Sequence, residues 1–206
     1  MEMNCQSEIN SAYFKRAARE QLVNNWGNAA LFTLLYVIVT AVISSLNNLI
    51  PLLGMVLVSP MVYSFYVAFL QNKRYGDELS VESLFDGYKD FQRIVFTSLL
   101  MYLYTFLWML LLIVPGIIKG ISYSQTLYVL KDNPELTTNA AIERSMAMME
   151  GYKMKYFILQ LSFIGWILLV ILTCGILSLW ITPYMSAANA NFYEYVKEEY
   201  NKKNTL

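Results

Sequence analysis

Ile94–Leu130 reads IVFTSLLMYLYTFLWMLLLIVPGIIKGISYSQTLYVL. An uncharged apolar run leads to Val114-Pro115-Gly116, and a second apolar run follows with one charge, Lys119. The first run is long enough to cross a bilayer, which takes roughly 20 apolar residues. The second is shorter and polar along one face. This is the pattern of a membrane hairpin, and the chain contains two more stretches like it.

The surrounding chain supports that reading. Of 206 residues, 57% are apolar and 15% are charged, against about 25% charged in soluble domains. No charge occurs from Gln21 to Asn72, from Ile94 to Ile118 or from Tyr156 to Tyr193. A bilayer demands such gaps, because a charge near its centre costs roughly 2.5–3.5 kcal/mol. The zero net charge argues against nucleic acid as a partner. The polar start has no secretory signal pattern, and Cys5 follows no apolar stretch, so neither a cleaved leader nor a lipoprotein anchor is expected.

Six spans are expected, at about 29–46, 53–70, 94–112, 115–130, 157–173 and 176–195. Asn47, Asn48 and Pro51 suit a tight turn, and Gly175 marks another. Pro60 and Pro183 fall inside spans, where neighbouring helices can repair the lost backbone bond. Three surface helices precede the odd-numbered spans. In 11–25, Phe14, Ala18 and Leu22 repeat every fourth residue while Lys15, Arg16 and Arg19 point elsewhere, a pattern common in the headgroup layer. In the second, Ser80 is the expected cap and Val81, Leu84, Phe85 and Tyr88 form the stripe. In the third, Thr137 or Thr138 caps a helix with Ile142, Ser145, Met146 and Met149 on its less polar face.

Aligning the chain on Trp26, Tyr88 and Tyr152 gives a threefold pseudo-repeat, about 11–72, 80–131 and 137–197. Asn25, Gly87 and Gly151 precede the three aromatics and are residue types that accept the left-handed end of a helix. Pro60, Pro115 and Pro183 recur in the second helix of each unit. Every lysine and arginine except Lys119 falls in the tails or the two long loops, which a six-span arrangement puts on one side. The positive-inside rule makes that side the cytoplasm, with both termini inside a bacterial plasma membrane. Cys5 and Cys174 then lie on opposite sides and do not pair.

The candidate sites are polar residues within spans. Lys119 either snorkels to the outer interface or holds an anionic headgroup or solute. Ser122, Gln125 and Thr126 follow it. Thr182, Ser186, Asn189 and Tyr193 share a face of the sixth span, and Ser59, Tyr63 and Tyr66 do so in the second. These line a polar pathway or make hydrogen bonds between helices, as Gln160 and Asn191 also can. Arg144, Lys153 and Lys155 either grip lipid phosphates or form a solvated basic face. The chain has no histidine, and no nucleophile–base pair, phosphate loop or metal-ligand cluster stands in a plausible context. No catalysis, metal or cofactor is expected.

Three stretches carry a resemblance: Val114-Pro115-Gly116; Ala141-Ile142-Glu143-Arg144-Ser145 with Met148 through Gly151-Tyr152-Lys153; and Thr182-Pro183-Tyr184. On these the chain resembles, over nearly its whole length, a family of uncharacterised bacterial integral membrane proteins catalogued as domain of unknown function nine-seven-five. The resemblance implies a helical plasma-membrane protein and no assigned activity. The resulting expectation is an all-α, six-span membrane protein that binds membrane lipids or a small amphiphile, with transport as an extension. The competing expectation is an accessory or scaffold protein that meets a protein partner through its cytoplasmic helices.

Overall fold

The computed structural model describes residues 9–45 and 53–204. The structure is 84% helical, with no strand among the described residues, so the fold is all-α. In order the elements are α1 (Ser11–Leu22), α2 (Trp26–Ser45), α3 (Leu53–Tyr75), a 3-10 helix (Glu82–Asp90), α4 (Phe91–Leu111), α5 (Ile113–Tyr123), α6 (Thr126–Asp132), α7 (Thr138–Met148), α8 (Lys153–Leu161), α9 (Ile164–Leu172) and α10 (Ser178–Asn204). Among the described residues, four stretches are long and apolar enough to cross a membrane: Trp26–Ser45, Leu53–Tyr75, Glu82–Leu111 and Lys153–Leu172. Leu53–Tyr75 is mostly covered by protein, whereas the apolar side chains of the other three stay largely uncovered. Leu110, Leu111 and Leu172 are 74%, 70% and 78% exposed, and such a surface calls for an apolar solvent. The expected turn at Asn47, Asn48 and Pro51, and Cys5, lie outside the described residues.

The chain divides into two compact units. The first comprises Met1–Leu34, Phe69–Leu79 and Gly151–Leu206; the second comprises Leu35–Ala68 and Ser80–Glu150.

In the first unit, Asn10 caps α1 by accepting from the Ala12 and Tyr13 amides. Phe14, Ala18 and Leu22 are fully buried, as their spacing predicts. Their cover is protein: Phe14 packs edge-on against Phe192 and tilts against Tyr195 of α10. The expected continuous fifth helix is broken at Ser162 and Phe163, between α8 and α9. There the Ser162 hydroxyl donates to the Leu159 carbonyl and the Phe163 amide bonds back only to Gln160, a local competition that interrupts the ladder. Beyond α9, Cys174 and Gly175 have φ of 50° and 88°. The Gly175 amide reaches the Val170 carbonyl, closing the helix in a left-handed cap.

In the second unit, α4 and α5 form the hairpin read from Ile94–Leu130. Leu112 is extended at the corner, and Pro115 sits in the first turn of α5, where a missing N–H costs nothing. It therefore starts a helix, whereas Pro60 and Pro183 lie inside α3 and α10. A Cβ on Gly116 would stand 2.8 Å from the Met109 Cα, so the glycine lets the two arms meet. The continuous fourth helix expected over 115–130 is instead α5 and α6, separated at Ser124 and Gln125. The Ser122 and Ser124 hydroxyls both donate to nearby carbonyls of their own helix, which weakens a serine-rich helix at that point. At Pro60, the Ser59 hydroxyl donates at 2.9 Å to the Val56 carbonyl, the acceptor that proline cannot serve.

Two further expectations change. The expected cap of the second surface helix is made by Ser80, whose Oγ accepts from the Ser83 amide at 3.4 Å, but the helix itself, Glu82–Asp90, is a 3-10 helix. Its period of about three brings Leu84 and Gly87 inward and leaves Val81 and Phe85 half exposed. Of Asn25, Gly87 and Gly151, only Gly151 is left-handed, with φ 83°. Gly87 is needed for closeness instead: a Cβ there would lie 2.2 Å from the Pro60 carbonyl oxygen. The third surface helix follows its pattern more closely. Thr137 caps it, and Ile142, Ser145 and Met149 are buried, with Met146 half-buried.

Candidate functional site

The sequence singles out Lys119 because it is the one basic residue outside the tails and long loops. The structure gives it unusual company. Lys119 lies on α5, half-buried. Its ammonium stands 5.2 Å from the centre of the Trp108 ring on α4 and 3.9 Å from the Met146 sulfur on α7. Among the described residues no carboxylate pairs with it. A cation over an indole face is held by the ring quadrupole.

A buried polar run continues from Lys119. Ser122 is 1% exposed and donates to the Ile118 carbonyl. Its own carbonyl accepts from Ser145 Oγ at 2.8 Å, which pins α7 to α5. Gln125 and Thr126, at the break, are fully buried. The Gln125 amide nitrogen donates to Ser124 Oγ at 2.8 Å. Gln125 Oε1 and Thr126 Oγ1 have no hydrogen-bond partner among the described residues. Buried polar atoms are nearly always satisfied, so this short stretch holds unused capacity. Tyr63, on α3 in the same unit, is 7% exposed. Tyr66 meets the Tyr128 ring edge-on, and Ser59 serves its own helix as described above.

The sixth-span candidates lie in the first unit, on α10. Ser186 and Tyr193 are buried and Thr182 is half-buried. Asn189 Oδ1 accepts from Gln160 Nε2 on α8 at 2.7 Å. Asn191 is tied further: its amide nitrogen donates to Gln21 Oε1 and to the Ala187 carbonyl, both at 2.8 Å. Gln21 in turn donates to the Phe69 carbonyl and to Asn72. The Arg74 guanidinium donates to Glu194 and lies 6.0 Å from the Tyr193 ring centre. These groups fasten helices to one another. Gln21 and Arg74 are residues that the reading of spans passed over, because they stand at or beyond the ends of apolar runs.

The basic candidates separate in the same way. Arg144 lies in the second unit, and Lys153 and Lys155 in the first. Lys155 donates to the Tyr195 hydroxyl at 3.1 Å and stands over the Tyr195 and Tyr152 rings, so its ammonium is engaged internally.

The family model described as "Protein of unknown function (DUF975)" matches residues 3–122 and 109–200. No curated protein and no solved structure matches the chain.

Proposed function

The chain belongs to the DUF975 family, and we propose that it is a non-catalytic membrane protein that binds a lipid or small amphiphile at Lys119. The observation that carries this is the Lys119 ammonium over Trp108, without a carboxylate partner among the described residues, one turn from buried Ser122 and about two turns' length from the open acceptors at Gln125 and Thr126. An anionic head fits the cation, and the apolar rim of α4 and α5 suits a tail.

The architecture proposed with it is six crossings in three pseudo-repeated hairpins, with both termini cytoplasmic in a bacterial plasma membrane. Four membrane-length helices support it, as does the recurrence of a short helix, a long apolar helix and a proline-bearing helix. The breaks between α5 and α6 and between α8 and α9 interrupt helices within apolar segments. Transporters use the same device at solute sites, which extends the proposal to transport.

The test is a chemical footprint of the wild-type protein. Delipidated protein is acylated with a small amine-reactive ester, and each lysine is read by peptide mass spectrometry. Restoring a bacterial lipid extract is expected to slow acylation of Lys119 and leave the exposed Lys202 unchanged. Equal slowing at both, or none at Lys119, contradicts the proposal and favours a scaffold role.

A further inference from the structure

Three of the four tryptophans converge in the first unit on one pocket of about 430 Å³. Trp26, Trp166 and Trp180 line it with Tyr184, and Arg19 stands among them. The volume is within the range of small-molecule sites, roughly 300–1,000 Å³. Arg19 is exposed, and its guanidinium lies 5.6 Å from the centre of the Tyr184 ring. Among the described residues it has no carboxylate partner. Its neighbour Arg16 is paired with Glu20 at 3.0 Å. Tyr184 is 4% exposed, and its hydroxyl has no hydrogen-bond partner among the described residues. Trp26 and Phe163 flank the Tyr184 ring at 6.3 and 5.4 Å. Lys15, one turn before Arg19 on α1, stands over Phe163 and donates to the Ser162 carbonyl at the break.

The chemistry of this pocket selects its occupant. Aromatic walls alone would suit a quaternary ammonium, but Arg19 already occupies the Tyr184 face and repels a second cation. A small soluble anion gains nothing from three indoles. An amphiphile with an anionic head satisfies both halves. A guanidinium matches phosphate oxygens with paired donors, and the buried tyrosine hydroxyl supplies one more. The apolar walls take the glycerol and the first part of a chain.

We propose that the pocket between α1, α2, α9 and α10 holds an acidic phospholipid, its phosphate on Arg19 and Tyr184 and its chain against Trp26, Trp166 and Trp180. This rests on the amphiphile-binding reading and adds a second place for it, in the other unit from Lys119.

The pocket tryptophans are their own reporters. The W108F variant leaves only Trp26, Trp166 and Trp180 as emitters and disturbs the Lys119 site, so what is read belongs to this pocket. The full chain is placed in phosphatidylcholine vesicles containing a small fraction of brominated phosphatidylglycerol or brominated phosphatidylcholine. The expected result is an apparent preference of about fivefold for quenching by the brominated phosphatidylglycerol, the scale of one basic contact at a lipid surface. R19Q in the same background abolishes it. R16Q, which removes an equal charge one turn away, keeps it. Y184F, which keeps the ring, reduces it. Equal quenching by the two lipids, or equal loss in R19Q and R16Q, overturns the proposal. So does full relief by millimolar glycerol phosphate, which would make the occupant a soluble phosphate ester. K119L retains the preference, so the two sites fail separately.

Discussion

The two units solve the packing of helices in different ways. In the second, helices meet where side chains are missing. Gly87 lies against the Pro60 carbonyl, with its amide donating to Ser64 Oγ at 2.7 Å, and Gly116 lies against Met109. In the first, helices meet through amides and rings: Gln21, Asn72 and Asn191 form one connected set, and Phe14, Phe192 and Tyr195 form another. Small residues allow backbones to approach, while polar side chains bond across the gap; both devices are used between helices in lipid. The difference teaches where each unit is vulnerable. A close approach fails when an atom is added, and a bonded set fails when a partner is removed.

The largest effect is therefore expected at Gly87. Gly87→Ala puts a methyl group 2.2 Å from a backbone oxygen that no rotamer can move. A loss of about 3 kcal/mol is expected, read as a lowered Tm in mild detergent. Gly116→Ala ranks below it, because its backbone contacts, the Met109 Cα at 2.8 Å and N at 2.9 Å, are less close than the 2.2 Å at Gly87. Equal effects at the two sites would break the ranking.

Next comes Arg93, a case in which the second unit borrows the other unit's device. Its guanidinium donates to the Leu130 carbonyl in the last turn of α6 and to the Asn133 and Pro134 carbonyls just beyond it, and it also pairs with Asp90. Arg93→Gln is expected to cost about 2 kcal/mol, the scale of losing hydrogen bonds from a charged donor. Thermal melting checks it, and an unchanged Tm would show that the cap contributes nothing.

In the first unit, Asn191→Leu should cost about 1 kcal/mol, since interhelical polar bonds in membranes are individually weak. Gln21→Leu should cost about the same. The double variant is expected to fall short of their sum, because one bond joins the two residues. Strict additivity in melting would separate what the geometry connects.

The smallest effect is a pH dependence at the junction before α8. Burial, then the neighbouring Glu199 and Tyr195, push the Tyr152 hydroxyl up to about 12 from its ordinary 10.0. The folded chain thus holds this proton more tightly than the unfolded chain. Its contribution to stability is full below pH 10 and is lost as pH rises toward about 12. Tyr152→Phe should flatten the fall in Tm over that window, and an unchanged slope would remove Tyr152 as its source.

How far the sequence revealed this depended on distance along the chain. The buried stripe Phe14, Ala18 and Leu22, the Thr137 cap, the corner at Gly151 and the turn at Gly175 are local, and spacing and residue type were enough to find them. The helix breaks were hidden because serine is common in membrane helices, and its competition with the backbone depends on the local geometry. Gly87 looked like a helix end because its partner, Pro60, is 27 positions away. Lys119 could be found by its lone charge, but its placement over Trp108 could not. The aromatic pocket draws on α1, α2, α9 and α10, so no window of sequence contains it.

The measurement that bears most directly on the amphiphile-binding account is native mass spectrometry of the gently purified protein beside Lys119→Leu. The account predicts defined adducts of lipid or metabolite mass on the wild type and one bound molecule fewer on the variant, whose aromatic pocket keeps its own. A wild-type spectrum with only random lipid adducts, or the same number of defined adducts on both proteins, would contradict it.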